Sequence, residues 1–164
     1  MDAAQSSGAG MVTAAASLDL DRARDVASRV VDPEIPVLTI ADLGILRDVR
    51  VDRGRVVAII TPTYSGCPAM IQIAEDLRSA LRTAGFNEAD VNVVHHPPWT
   101  TDWITPAGID KLASFGVAPP GEEIVCPRCR AGSSRVVSRF GSTACKALMA
   151  CSSCGEPFDH FKEF

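Results

Sequence analysis

Positive charge is in short supply in this chain. Sixteen lysines and arginines face 20 aspartates and glutamates, a formal net charge of −4, which gives no basis for nucleic acid as a partner. Long apolar runs are missing too. No stretch of about 18 apolar residues occurs, so no transmembrane helix and no membrane partner are expected. The opening MDAAQSSGAGMVTAAASLDL lacks the basic start and unbroken apolar centre of a secretory signal. Its Ala, Ser and Gly content reads instead as an unstructured leader over residues 1–17. No solenoid repeat is visible, nor the Cys/His/Asn signature of a thiol protease. What remains is a cytoplasmic protein with reduced thiols, in which paired cysteines more often mean metal than disulfides.

With 164 residues there is room for one ordinary domain, or a smaller one with a stapled appendix. Residues 18–118 alternate helical and extended patterns. Leu20, Ala23, Val26, Ala27, Val30 and Val31 share a helical face that stops at Asp32-Pro33, because a residue before proline avoids the α region. Val49 and Val51, then Val57 and Ile59, alternate as two strands around an Asp52-Arg53-Gly54 turn. Met70, Ile73, Ala74, Leu77, Ala80, Leu81 and Ala84 form a second helical stripe closed by Gly85. VNVVHH (91–96) reads as a third strand, and a short helix is expected near 106–114. APPGEE (118–123) breaks the pattern, and a cysteine-rich module follows over 122–164. The fold class is α/β (α+β), a small layered domain with a C-terminal ribbon.

That module contains CPRC (126–129) and CSSC (151–154), two C-x2-C pairs separated by twenty-one residues. Each pair can form a knuckle with both sulfurs facing one ion, and two knuckles make the tetrahedral thiolate cage that Zn²⁺ prefers. Cys126, Cys129, Cys151 and Cys154 are therefore the expected metal ligands, with zinc in a structural, four-thiolate role. An iron centre and disulfides are the other readings. A module of about forty residues buries too little core to stand without such a staple. Cys145, a fifth cysteine nearby, fits a buried residue, an alternate ligand or a redox partner. Six Arg/Lys against five acidic groups over 122–164 make a poor nucleic-acid footprint. A protein-docking role suits the ribbon better.

Cys67 stands apart, in TPTYSGCPAM (61–70). Thr61 and Thr63 end a strand, Gly66 permits a sharp turn, Cys67 falls at the expected N-cap and Pro68 at the first helical position. A thiol there faces unpaired amides, so its pKa is expected to fall and its thiolate to bind soft metals. The bland alternative is a small buried capping residue. Asp32 and Glu34, in the rigid DPEIP turn, and Asp42 in DLG could cap helix ends or line a pocket around Cys67. His95 and His96 read as satisfied or solvent-facing. HHPPWTTDW (95–103) reads as a partner-binding edge or as a lid over the core.

DPEIPVLTIADLGILRDV (32–49), T-x-T-x-x-GCP (61–68) and PPW (97–99), in that order, resemble the small α/β domain of SufT-type iron–sulfur assembly proteins over residues 19–116. Ser65 stands where that family usually has proline, and Pro62 replaces an apolar strand residue. TPTYSGCPA joined to CPRC…FGSTACKAL…C-x2-CGEPFDHFK resembles the PaaD family, the D subunits of bacterial 1,2-phenylacetyl-CoA epoxidase systems. The resemblance implies a role beside a di-iron oxygenase and a reductase with flavin and [2Fe–2S] centres, which epoxidise the phenylacetyl-CoA ring in aerobic phenylacetate catabolism.

The chain itself has no Glu-x-x-His helices and no dinucleotide glycine fingerprint, so a non-catalytic accessory is expected. The resemblance implies transient iron or cluster binding at Cys67, aided by Asp32, Glu34, Thr61 and Thr63. It implies the oxygenase and reductase subunits as partners and leaves a homodimer open. The alternatives are a structural subunit of the epoxidase complex and, more remotely, a thiol enzyme acting on a CoA thioester.

Overall fold

The structure is a computed structural model that describes residues 9–164, with side chains from Asp19 onward. The leader expected over residues 1–17 falls mostly on this boundary: residues 1–8 lie outside the described residues, and helix α1 is assigned over Ala9–Ser28. Two strands follow, β1 (Leu46–Asp52) and β2 (Arg55–Ile60), antiparallel and joined at Arg53-Gly54 as the sequence suggested. Helix α2 (Ala69–Thr83) then carries the chain to β3 (Asp90–Val93), which pairs parallel to β2. The sheet order β1-β2-β3 puts β2 in the middle, which is why Val56, Val57, Ala58 and Ile60 are all buried.

The α2 stripe is legible in its packing: Met70, Ile73, Ala74, Leu77 and Leu81 are buried against Ala23, Ala27, Leu38 and Ile60. Each fully buried Leu or Ile contributes roughly 1.5–3 kcal/mol by its removal from water. Two expected boundaries move. Helix α1 ends at Ser28 instead of running to Val31, because the chain turns into a loop closed by Asp32 N–H to Leu38 O and Ile40 N–H to Val30 O, both 2.9 Å. Val31 is consequently 47% exposed, bridging to Thr39. The third strand stops at Val93, where its register runs out at the end of β2 with a last bond from Val94 N–H to Ile60 O at 2.9 Å.

A short 3-10 turn (Thr101–Trp103) leads into α3 (Pro106–Phe115), capped by the Thr105 hydroxyl accepting from Gly108 N–H at 3.0 Å. The second sheet has the order β4-β7-β6-β5, from β4 (Val117–Ala118), β5 (Ser134–Ser138), β6 (Lys146–Cys151) and β7 (Pro157–Phe161). Val117 and Ala118 pair with Asp159 and His160, so the chain joins the ribbon sheet directly after α3, at the start of the APPGEE break. Among the described residues no helix is long and apolar enough to cross a membrane.

The two sheets share a seam. Cys145 and Phe161 of the ribbon belong to the same buried cluster as Leu38, Ile60 and Trp99. Trp99 is 4% exposed, donates its indole N–H to Leu43 O at 2.8 Å, and packs on Phe161 and Phe164 with ring centroids 6.2 and 6.1 Å away. The HHPPWTTDW segment thus lies across the seam. A close approach fixes it there: Gly44 has φ +67, and a Cβ at that position would lie 2.5 Å from Trp103 O. Replacing Gly44 by Ala is therefore expected to destabilise the chain by about 2–4 kcal/mol in urea denaturation, since strain and overlap add. A loss below about 1 kcal/mol would mean that Trp103 gives way freely.

Candidate metal centre and the Cys67 site

The ribbon's knuckles are built alike. Arg130 N–H closes onto Cys126 O at 2.9 Å, and Gly155 N–H onto Cys151 O at 3.0 Å. Both closing residues have positive φ, 65° and 77°, the sharp return that aims two sulfurs of one turn the same way. The strand pairing of β6 with β5 and β7 brings the turns together. All four sulfurs lie within 4.8 Å of one another, with Cys126–Cys154 at 3.9 Å and Cys129–Cys151 at 3.5 Å.

This donor set fits a soft cation. The N–H groups of Cys154 and Ser153 point at the Cys151 sulfur, at 3.5 and 3.4 Å, and pull its pKa down to about 6. Cys129 moves the other way: the Ala131 N–H favours its thiolate, but the crowded Cys154 and Cys151 sulfurs outweigh it and push the pKa up to about 12. Four thiolates this close repel one another unless a cation sits among them. The cluster can therefore hold a metal ion, and among the described residues no further His, Cys, Asp or Glu belongs to it.

Cys67 lies on the turn between β2 and α2. Its N–H donates to Tyr64 O at 3.2 Å, and Gly66, at φ +84, supplies the left-handed residue that only glycine adopts at little cost. The helix is capped by Pro68, with φ −68 and ψ −25, so Cys67 precedes the N-cap by one residue. The thiol is half-buried. The expected fall in its pKa is overturned: burial pushes the thiol up, the Ala69 N–H offsets part of this, and the Glu34 and Asp32 carboxylates add to the rise. One amide does not compensate for desolvation beside two negative groups.

The sequence-expected residues divide around this thiol. Asp32 and Glu34 reach it electrostatically. Asp32 is 6% exposed, and its Oδ1 accepts from Glu34 N–H and Ile35 N–H, both 2.8 Å. Burial still raises its pKa despite those bonds, and burial and Asp32 together raise that of Glu34. Both carboxylates also face the buried Lys146, which is paired with Asp159 at 3.3 Å. Thr61 and Thr63 are buried and line a cavity of about 270 Å³ with His95 and Phe164, on the strand side of the turn. His95 and His96 are exposed. Asp42 belongs elsewhere: burial opposes its charge, but the Lys111 ammonium at 2.6 Å and the Thr39 N–H and hydroxyl hold its pKa down.

Two groups near the thiol were not legible as its neighbours. Tyr64 sits beside Cys67, its own pKa pushed up to about 12 by burial and then by the thiolate, and its ring stacks on Phe164 at 6.2 Å. Cys145, 5% exposed, lies outside the four-sulfur cluster and within electrostatic reach of Cys67 and Glu34. Its six-residue offset from Cys151 removes it from the knuckles, but nothing local in the sequence points it at residue 67.

An iron–sulfur-assembly type of α/β unit joined to a four-cysteine ribbon is the class that this fold and these thiols define. Residues 20–93 match the iron–sulfur cluster assembly protein family and residues 114–162 the PaaD zinc beta ribbon domain. The chain belongs to the PaaD family: it is 47% identical over 145 residues to an Escherichia coli (strain K12) protein provisionally named as the D subunit of 1,2-phenylacetyl-CoA epoxidase, covering 82% of this chain and 87% of that one. It is also 35% identical over 78 residues to the Fe-S protein maturation auxiliary factor SufT of Staphylococcus aureus (strain USA300), covering 46% of this chain and 88% of that protein. Among solved structures, a DUF59 domain of unknown function from Bacillus anthracis superposes with a TM-score of 0.56 at 30% identity, over 61% of this chain and 96% of the other.

Proposed function

We propose that this chain is a cytoplasmic, non-catalytic accessory of a phenylacetyl-CoA epoxidase system that assists iron or iron–sulfur cofactor maturation of the oxygenase and reductase subunits. The observation that carries this reading is a solitary half-buried cysteine in a helix-start turn with two carboxylates in electrostatic reach. Mixed sulfur and oxygen donors suit Fe(II). One sulfur with two carboxylates holds such an ion loosely, which suits handing it on. Cys126, Cys129, Cys151 and Cys154 would hold structural Zn²⁺, which supplies the folding energy that the small ribbon core lacks. The similarity to the epoxidase D subunit and to SufT-type maturation factors supports the setting.

The test is a subtraction. The other epoxidase subunits are expressed with and without this chain, and iron per subunit and ring epoxidation are measured. Iron-poor, inactive enzyme without the chain, restored by a chain that is not retained, is the expected result. Fully iron-loaded enzyme in both preparations, active only with the chain bound, would favour the second reading, a structural subunit. That reading draws on the ribbon's outer strand β5, where Val136 and Val137 are 58% and 50% exposed, with Phe140 just beyond it 65% exposed, at the unpaired edge of the sheet, a ready template for pairing with another chain.

A further inference from the structure

Two arginines at the ribbon's outer strand have no carboxylate to meet. Arg128 is paired with Glu156 and Lys146 with Asp159, but among the described residues neither Arg135 nor Arg139 makes an ion pair, and both are exposed. A third cation stands beside them. Lys162 Nζ donates to Arg139 O at 3.3 Å and lies 4.8 Å over the Phe140 ring. Between these charges the edge is apolar. Val136, Val137 and Phe140 are all exposed, and no other five consecutive described residues leave three large apolar side chains in water. The pairing of β5 with β6 slips between Val136 and Ser138, the irregularity that lets two successive valines stay uncovered. Charge and a bulge would by themselves blunt an edge against pairing. They do not account for the apolar cluster set among them, which is the mark of an interaction site.

We propose that the β5 edge docks an extended segment of an epoxidase subunit, rich in acidic and apolar side chains, as a fifth strand on the four-stranded ribbon sheet. Such a segment takes up the outward backbone groups of β5, covers Val136, Val137 and Phe140, and sets carboxylates against Arg135 and Arg139. The inference rests on the reading that the chain works beside the epoxidase subunits, and it serves a maturation role and a structural one alike. A second copy of the chain is the poorer occupant. Antiparallel self-pairing about Val137 sets Arg135 of one copy against Arg139 of the other, like charges face to face. Nucleic acid would meet the arginines but offers the backbone edge no strand to pair with.

The test mixes the full zinc-loaded chain with the purified oxygenase and reductase subunits and follows amide hydrogen exchange. The amides of residues 134–140 are expected to gain protection when one of these subunits is added, and to lose it as salt is raised. Arg135→Glu with Arg139→Glu should weaken binding of that subunit about tenfold or more, while Arg135→Lys with Arg139→Lys keeps it within about threefold. Val136→Ser with Val137→Ser should also weaken it about tenfold. These side chains are exposed, so zinc content and tryptophan emission should not change. A subunit that binds while residues 134–140 exchange as in the free chain overturns the inference and leaves the epoxidase partnership standing. Protection that ignores both salt and charge reversal overturns the acidic occupant. Protection that appears on concentrating the chain alone assigns the edge to a second copy and also overturns it. No complex with either subunit overturns the partnership, and this inference with it.

Discussion

Chelating metal from the full chain is expected to unfold the ribbon and to shift tryptophan emission to longer wavelength through exposure of Trp99, while the helical signal of α2 and α3 persists. The ribbon's own buried cluster is Ala118, Cys126, Ala147, Met149, Cys151 and Phe158, of which two are cysteines and two alanines. Burial on that scale supplies a few kcal/mol, against roughly 10–16 kcal/mol of apparent binding energy for structural zinc in small domains. Strand β5 adds little, since Arg135, Val136 and Val137 are all exposed. The loss would spread across the seam, because Phe161 and Phe164 pack on Trp99 and would leave its ring to water. The first unit keeps Leu38, Ile40, Ile60, Ile73, Leu77 and Leu81 in its own core, so it should remain folded with a lower Tm. Unchanged emission and unchanged Tm after complete metal removal would show that the tail is held by packing alone. Cys151→Ser in place of chelation should give the same result without a reagent.

The local features were those that the sequence displayed best. The α2 stripe, the Arg53-Gly54 turn and the short helix near 106–114 depend on neighbours a few residues away, and periodicity or turn chemistry reveals them. The knuckles are equally local, which is why CPRC and CSSC pointed to the four cysteines that the structure clusters. The misjudged features depend on distant residues. Helix α1 stops early because residues 30–40 close on themselves through Asp32, an outcome that proline spacing alone does not reveal. The pKa of Cys67 was expected to fall from helix-end electrostatics, but burial and two carboxylates from the 32–34 turn raise it. Cys145 was read correctly as a buried residue, but its packing in the first unit's core cluster depends on distant elements that no window of sequence contains.

Replacing Cys67 by Ser is expected to leave the fold intact and to abolish maturation, with iron in the recipient subunits falling by about tenfold or more. The fold should survive because the thiol is only partly buried and a serine hydroxyl is of similar size. The backbone bonds of the turn, from Cys67 N–H to Tyr64 O and from Met70 N–H to Cys67 O, do not involve the side chain. Function should not survive, because a hydroxyl stays protonated where a thiol can ionise against a metal. The raised thiol pKa sharpens the contrast. At neutral pH the free thiol is protonated, so it is quiet toward stray electrophiles and becomes thiolate only as a cation displaces the proton. Weak alkylation of Cys67 by iodoacetamide near pH 7, rising with pH and suppressed by added Fe(II), would match that order of events. Fast alkylation at neutral pH, insensitive to Fe(II), would mean that the helix-start amides outweigh burial and the two carboxylates. If Cys67→Ser matured the oxygenase and reductase normally, the thiol would be a packing residue of the turn, and the chain's contribution would have to be sought on the exposed edge of β5.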